Sequence, residues 1–353
     1  MTWKKTLLLD AGEPGDTMSE GALLDHYYDF KADCIITFKD IYNFRVLHDY
    51  PINWLPLCPV DHAPVSREIT ARLKTAFQIV SITRYGKREL RKSGIPSTYI
   101  PLFVNTELYK PFSEEEKKEA KKTFGLPEDC FGILINKMNR KRGMIPRMMR
   151  ACKRFLDNNP DAKKDTKIIA WTDMLPEFYT EDGARGTMLS TKVKQLELAP
   201  YWFCPDRKLY RTGIEEYRMP LLYGASDVAL CASAEGFWMP GIESGACGVP
   251  SVVVEWAAAP EVSTGELAKV ADFEVLNPIG YDQPLVDIDD MAKGIEKIYN
   301  GDRERYAREA RRYAMKYDVA TVYTKYWQPF LDKIESQLRP YVKKGRIESW
   351  TLQ

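Results

Sequence analysis

Histidine is scarce in this chain, and its cysteines are ungrouped. Only His26, His48 and His62 occur in 353 residues, too few and too scattered for a metal centre built on imidazole. The seven cysteines are odd in number and no Cys-x-x-Cys pair occurs, which argues against a disulfide framework and against zinc, and favours a reducing cytoplasm. Charge of one sign is also missing. The net charge is +1, so no overall field draws the chain to nucleic acid or to an anionic membrane. No window approaches the ~18 apolar residues of a membrane span, and the first residues lack the apolar core of a signal peptide. Internal repeats and low-complexity tracts are absent too. The expectation is an ordinary globular protein, 44% hydrophobic and 29% charged, long enough for two domains.

What is present is an alternation of short apolar runs with segments of helical spacing, the pattern of parallel βαβ units and an α/β fold. Strands are expected at 6–10, 32–38, 54–60, 77–82 and 97–100, with helices at 21–30, 66–75 (capped by Ser66) and 85–93, closed by Gly94. A hinge-like stretch at 109–122 carries Ser113 and an acidic run, read as the solvated face of a helix. A second α/β series follows. Strands are expected at 131–135, 167–172, 201–204, 227–232 and 251–254, and helices at 145–158, 220–225, 286–299, 303–317 and 319–342. The last helix carries a stripe of Tyr323, Tyr326, Trp327, Phe330 and Ile334, read as packing. Two α/β halves joined near residue 110 imply a cleft facing the carboxyl ends of the strands, where open sheets bind ligands.

The chain is organised around residues 235–250, Glu235-Gly-Phe-Trp-Met-Pro-Gly-Ile-Glu243-Ser-Gly-Ala-Cys-Gly-Val-Pro250. This is a strand-to-helix turn. Pro240 suits the first helical turn, and Gly248 with Pro250 ends the helix. A helix N-terminus suits a phosphate, and Glu235 and Glu243 beside it suit sugar hydroxyls. Lys137, Arg140, Lys141 and Arg142 cluster in an earlier βα turn, where they can neutralise a diphosphate. Asp61 and His62 end a strand of the first half and could contact an acceptor or a sugar. Cys247 reads as a small buried residue.

Residues 235–250 resemble the Glu-x7-Glu signature of family-4 retaining glycosyltransferases. Further likeness lies in Ser81-Ile-Thr-Arg-Tyr-Gly, Ile100-Pro-Leu-Phe-Val-Asn-Thr-Glu-Leu108, Tyr223-Gly-Ala-Ser-Asp-Val-Ala-Leu230 and Pro260-Glu261. The resemblance implies the GT-B fold, in which two Rossmann-like parallel-sheet domains face a cleft and a C-terminal helix crosses back to the first domain. It implies an acceptor-side domain over 1–108, a nucleotide-sugar domain over 109–320 and a returning helix over 321–353. The implied activity is metal-independent transfer of a sugar, by a hexosyltransferase, from a UDP- or GDP-sugar to a hydroxyl acceptor, with no further cofactor. Lys137 and Arg142, or its neighbour Lys141, would bind the diphosphate. Glu243 would bind the ribose, and Glu235 would lie by the transferred sugar, with Asp61 and His62 as further catalytic candidates. Phe237, Trp238 and Met239 would shape the donor pocket.

The chain departs from that family at Trp238, where a glycine is usual. A bulky indole there would reshape the donor-sugar pocket or turn into the interdomain cleft. It also departs in its first domain. Residues 33–40 look like a middle strand with only about thirty residues before it, which implies a reduced domain, a late start or a completing chain. Alternative readings are a non-catalytic nucleotide-sugar-binding or scaffold subunit, or an epimerase on the same fold. A homo-oligomer, and a peripheral membrane contact through the aromatic C-terminal helix and Lys343-Lys-Gly-Arg346, are compatible with the sequence.

Overall fold

The computed structural model describes residues 2–3, 6–7, 19–175, 186–276 and 280–343. The chain divides into two compact units, residues 1–101 with 323–353, and residues 102–322.

The first unit opens with a two-residue ladder, β1 (Thr2–Trp3) against β2 (Thr6–Leu7); the rest of the strand expected at 6–10 lies outside the described residues. Its sheet is β3 (Ile35–Phe38), β4 (Trp54–Cys58), β5 (Val80–Ser81) and β6 (Thr98–Tyr99), parallel and in that order. Helices α1 (Glu20–Asp29), α2 (Arg67–Leu73) and α3 (Arg84–Lys92) accompany them. Ser66 caps α2 as expected, its hydroxyl accepting from the Ile69 amide at 3.3 Å. Glu20 is buried, and its carboxylate accepts from the amides of Arg45, Val46 and Leu47 at 2.6, 2.8 and 2.9 Å. Those bonds satisfy a loop that has no strand of its own.

The second unit includes α4 (Glu114–Thr123), closed by a capping box between Ser113 and Glu116. Six parallel strands follow: β7 (Phe131–Asn136), β8 (Thr166–Trp171), β9 (Trp202–Phe203), β10 (Val228–Cys231), β11 (Ser251–Val254) and β12 (Gly265–Ala268). Their spatial order is β12-β11-β10-β7-β8-β9. Strand residues alternate between two cores, as a period of two requires of a sheet covered on both faces. Phe131, Ile133 and Ile135 join one core, with α5 (Ile145–Asn158). Leu134 and Ile169 join the other, with α8 (Met219–Gly224) and α9 (Met239–Ala246).

Several elements differ from expectation. Short helices α6 (Leu189–Gln195) and α7 (Arg207–Thr212) were not expected, nor was the antiparallel hairpin β13 (Val270–Val275) with β14 (Asp282–Val286). The hairpin is mostly exposed on β13, so it leaves no apolar run to read. Val286 ends β14, and the helix expected from there starts later, as α10 (Ile288–Asn300) behind the cap Asp287. α11 (Arg303–Ala314) follows.

The helix expected at 319–342 is α12 (Val319–Val322), a π turn at Tyr323–Trp327, and α13 (Gln328–Lys343). A π turn adds one residue to the helical ladder, which apolar spacing does not register. Phe330 and Ile334 of the stripe are buried, Tyr326 meets Tyr99 edge-on at 5.5 Å, and Tyr323 is exposed. Of the basic segment 343–346, residues 344–346 lie outside the described residues.

Candidate functional site

Because β7 and β10 are parallel neighbours, with Ile133 opposite Val228 and Leu134 opposite Ala229, the loops leaving their carboxyl ends lie side by side. These are the basic turn 137–143 and the loop carrying Glu235. The Lys137 ammonium donates to the Glu235 carboxylate. That carboxylate also accepts from Ser233 Oγ at 2.6 Å. Both charged side chains are largely buried, 16% and 13% exposed, so their attraction is screened less than at a surface.

The turn is compact for identifiable reasons. A Cβ on Gly143 would stand 2.9 Å from the Met138 carbonyl and 3.2 Å from Lys137 Cγ, so the lysine stem lies against the glycine. Asn139 is buried and clamps the turn to its neighbours. Its amide donates to the carbonyls of Asp173 at 2.9 Å and Thr187 at 2.8 Å, and its carbonyl accepts from the Thr187 amide at 3.0 Å. Asp173 is in turn held by Arg207 at 3.2 Å and Arg211 at 3.0 Å. Burial works to raise its carboxyl, but the Leu175 amide and the two guanidiniums together outweigh burial and hold it below the usual range. Asn139→Ala should cost about 1–3 kcal/mol of stability by leaving buried backbone groups unpaired. Chemical denaturation measures it, and a loss within error would show that the clamp is dispensable.

A cavity of about 380 Å³ opens between the two loops. It is lined by Lys137, Arg140, Arg142, Glu235, Phe237, Trp238 and Met239, among others. Three cations against one carboxylate make it an anion-attracting site. The α9 N-terminus, at Met239 and Pro240, forms part of its wall and has no side-chain cap, and a helix start favours negative charge. Of the two rivals for the second phosphate contact, Arg142 lines the cavity. Lys141 is an exposed residue 3.9 Å from Glu274 of the hairpin.

Trp238 lines the cavity and packs inward at the same time. It is 2% exposed and belongs to the core under α9. Its ring occupies the space in which a Cβ on Gly241 would stand, 2.5 Å from that position, so the indole and the glycine form one packing unit. Only part of it reaches the cavity wall. Its Nε1 is buried with no partner among the described residues. Phe237 lies edge-on to Tyr317 at 6.1 Å.

Glu243 sits one turn into α9 and accepts a hydrogen bond from the Tyr223 hydroxyl. That hydroxyl accepts from Asn136 Nδ2 at 3.1 Å, and Asn136 lines the cavity. Burial pushes the Glu243 carboxyl above its ordinary value, the Tyr223 hydrogen bond opposes this, and Glu216 adds to it. Sequence reasoning gave no role to Tyr223, Asn136 or Asn139, and set Arg140 in the cluster without one. Residues 20 apart in the chain with no periodic link, as Tyr223 and Glu243 are, leave no local signal.

Asp61 and His62 belong to the first unit. His62 is 1% exposed. Its Nδ1 lies 2.8 Å from the Asp61 carboxylate and its Nε2 accepts from the Ser66 amide at 3.3 Å, which fixes the tautomer with the proton on Nδ1. Both ring nitrogens therefore serve the loop, and Asp61 is the more exposed of the two side chains. Among the described residues no helix is long and apolar enough to cross a membrane.

Compared by sequence, the chain matches no family model and no curated protein. Compared by structure, it is similar to several solved proteins. Sucrose-phosphate synthase from Thermosynechococcus elongatus is 15% identical over 91% of this chain and 77% of its own, with a TM-score of 0.64. HepE from Anabaena, in complex with UDP, is 15% identical over 81% and 72%, with a TM-score of 0.60. The trehalose 6-phosphate synthase of Burkholderia multivorans is 12% identical over 95% and 76%, with a TM-score of 0.62. What this chain shares with these GT-B glycosyltransferases is their fold, built on two sheets of parallel strands.

Proposed function

We propose that the protein is a retaining glycosyltransferase of the family-4 type that transfers a sugar from a UDP-sugar to a hydroxyl acceptor. The observation that carries this reading is the meeting of the basic turn and the Glu235 loop around one cavity at the carboxyl edge of the sheet, beside the α9 N-terminus. Lys137 and Arg142 bind the diphosphate, Arg140 adds to the field, and Glu243 receives the ribose hydroxyls. Lys137 exchanges Glu235 for a phosphate oxygen, which releases the glutamate to accept from donor-sugar hydroxyls. Cations that stabilise the departing diphosphate lower the barrier without a metal. The acceptor oxygen bonds to the anomeric carbon on the face from which the phosphate leaves, and a phosphate oxygen takes the acceptor proton. Uridine is preferred as the base because HepE is solved with UDP and with UDP-glucose. The reading includes a cytoplasmic location.

A thermal-shift series with UDP-glucose, UDP-N-acetylglucosamine and GDP-mannose tests it. A ligand at 100 times its dissociation constant stabilises by about 2.7 kcal/mol, a rise of several degrees. The UDP-sugars should shift most and should release UDP slowly in water. No shift with any nucleotide sugar would overturn the reading, and binding without turnover would replace it with a non-catalytic subunit.

A further inference from the structure

A further cavity in the second unit is larger than the one described above. It measures about 620 Å³ and lies beside Ser226–Asp227 and Gly248–Pro250. Those segments lead into β10 and β11, so the cavity sits at the amino edge of the sheet, opposite the Lys137–Glu235 site. Protein interiors leave few voids larger than a water molecule, and 620 Å³ is the size of a small-molecule site. Its wall is divided by chemistry. Phe112, Val249, Pro250 and Ile298 supply an apolar floor, with the buried Tyr223 behind it. The rim carries Lys117, Arg303, Arg308, Arg311 and Arg312 against Glu114, Asp227 and Glu304, five cations to three anions.

The cations are not equally committed. Arg311 donates to the carbonyls of Tyr109, Ala246 and Thr106 at 2.8, 2.8 and 3.2 Å and is structural. Lys117 is 2.7 Å from Glu114, and Arg303 is 4.0 Å from Asp227. Arg308 is 67% exposed and 3.3 Å from Glu304, a surface pair of little strength that a better anion displaces. Arg312 is exposed and makes no ion pair among the described residues. Arg308 and Arg312 stand four residues apart on α11, so they share one helix face. Two neighbouring guanidiniums can grip a phosphate with paired hydrogen bonds.

We propose that this cavity binds an organic phosphate, its ring or chain on the apolar floor and its phosphate between Arg308 and Arg312. The site is coupled to the other edge of the sheet. Tyr223, itself fully buried, lies in the wall behind that floor, and its hydroxyl donates to Glu243 and accepts from Asn136. A ligand that shifts Tyr223 acts on Glu243; this coupling, unlike the binding itself, rests on the nucleotide reading of Glu243.

Isothermal titration with phenyl phosphate, inorganic phosphate and phenol tests the site on the full chain. Phenyl phosphate should bind at least about tenfold tighter than inorganic phosphate, and phenol should not bind measurably. The double variant Arg308→Ala, Arg312→Ala should lose about tenfold or more in phenyl phosphate affinity while keeping its melting temperature and its affinity for UDP. No binding of phenyl phosphate, equal binding of inorganic phosphate, an unchanged double variant, or complete displacement of phenyl phosphate by UDP would each overturn the site. A change in UDP affinity at saturating phenyl phosphate supports the coupling, and an unchanged affinity removes it. If UDP itself does not bind, the nucleotide reading fails while the phenyl phosphate result still judges the cavity.

Discussion

Replacing Lys137 by methionine should weaken UDP binding by about thirtyfold or more and destabilise the protein as well. Two effects add. The direct charge-assisted contact to the diphosphate is lost, roughly 1.5–3 kcal/mol, and each 1.4 kcal/mol is tenfold in affinity. The Glu235 carboxylate, 13% exposed and held by Ser233, is left without its cation at the rim of a phosphate site. Removing one partner of a buried pair costs about 3–5 kcal/mol. This pair is partly exposed, so the lower end applies. Adding Glu235→Gln to Lys137→Met should therefore restore much of the stability while UDP affinity stays well below that of the wild type. Calorimetry and denaturant melts separate the two quantities. A Lys137→Met protein that loses stability but keeps its UDP affinity would show that the lysine is a strut and not a phosphate ligand.

Glu243→Gln should act in opposite directions on binding and stability. A ribose diol can donate both its hydrogen bonds to a carboxylate, whereas the amide has one acceptor oxygen, so UDP affinity should fall about tenfold. Stability should move the other way at alkaline pH. Burial raises the Glu243 carboxyl above its ordinary value, so folding favours its protonated form. The stability it contributes is complete below the unfolded value, about 4.3 for a glutamate, and is lost as pH rises through the raised folded value. At pH 8 the ionised side chain is a net cost that the isosteric amide avoids, and the amide oxygen of the variant can still accept from Tyr223. Melts from pH 4 to pH 8 should show the variant more stable at pH 8, with the difference closing towards pH 4. A variant that melts below the wild type at pH 8 would mean that the carboxylate is held there for its own stabilisation.

Much of the fold is legible along the chain. Phe131 to Ile135 and Ser251 to Val254 are short apolar runs between punctuating residues, and they form central strands. The helix expected at 145–158 is found at those bounds, where the apolar spacing is regular. The hairpin of β13 and β14 escaped because β13 is largely solvated, and the π turn at Tyr323–Trp327 because one extra residue does not break an apolar stripe. The burial of most of Trp238 is not legible in the sequence, because nothing local says which way a large ring in a glycine-rich loop packs. Its burial depends on Gly241, three residues on, leaving room for the ring.

Local spacing and backbone chemistry are enough to dictate the alternation of strands and helices, the two charged turns and the glycines that make them tight. Which side chains meet depends on how the strands assemble into the sheet. Lys137 and Glu235 are 98 residues apart and become neighbours because β7 and β10 pair in parallel and send their loops to the same edge. Lys141 and Arg142 are adjacent in sequence and alike in charge. They lie in the 3₁₀ turn Lys141–Gly143, where successive side chains diverge by about 120°, and that rotation sends the arginine into the cavity and the lysine towards the hairpin.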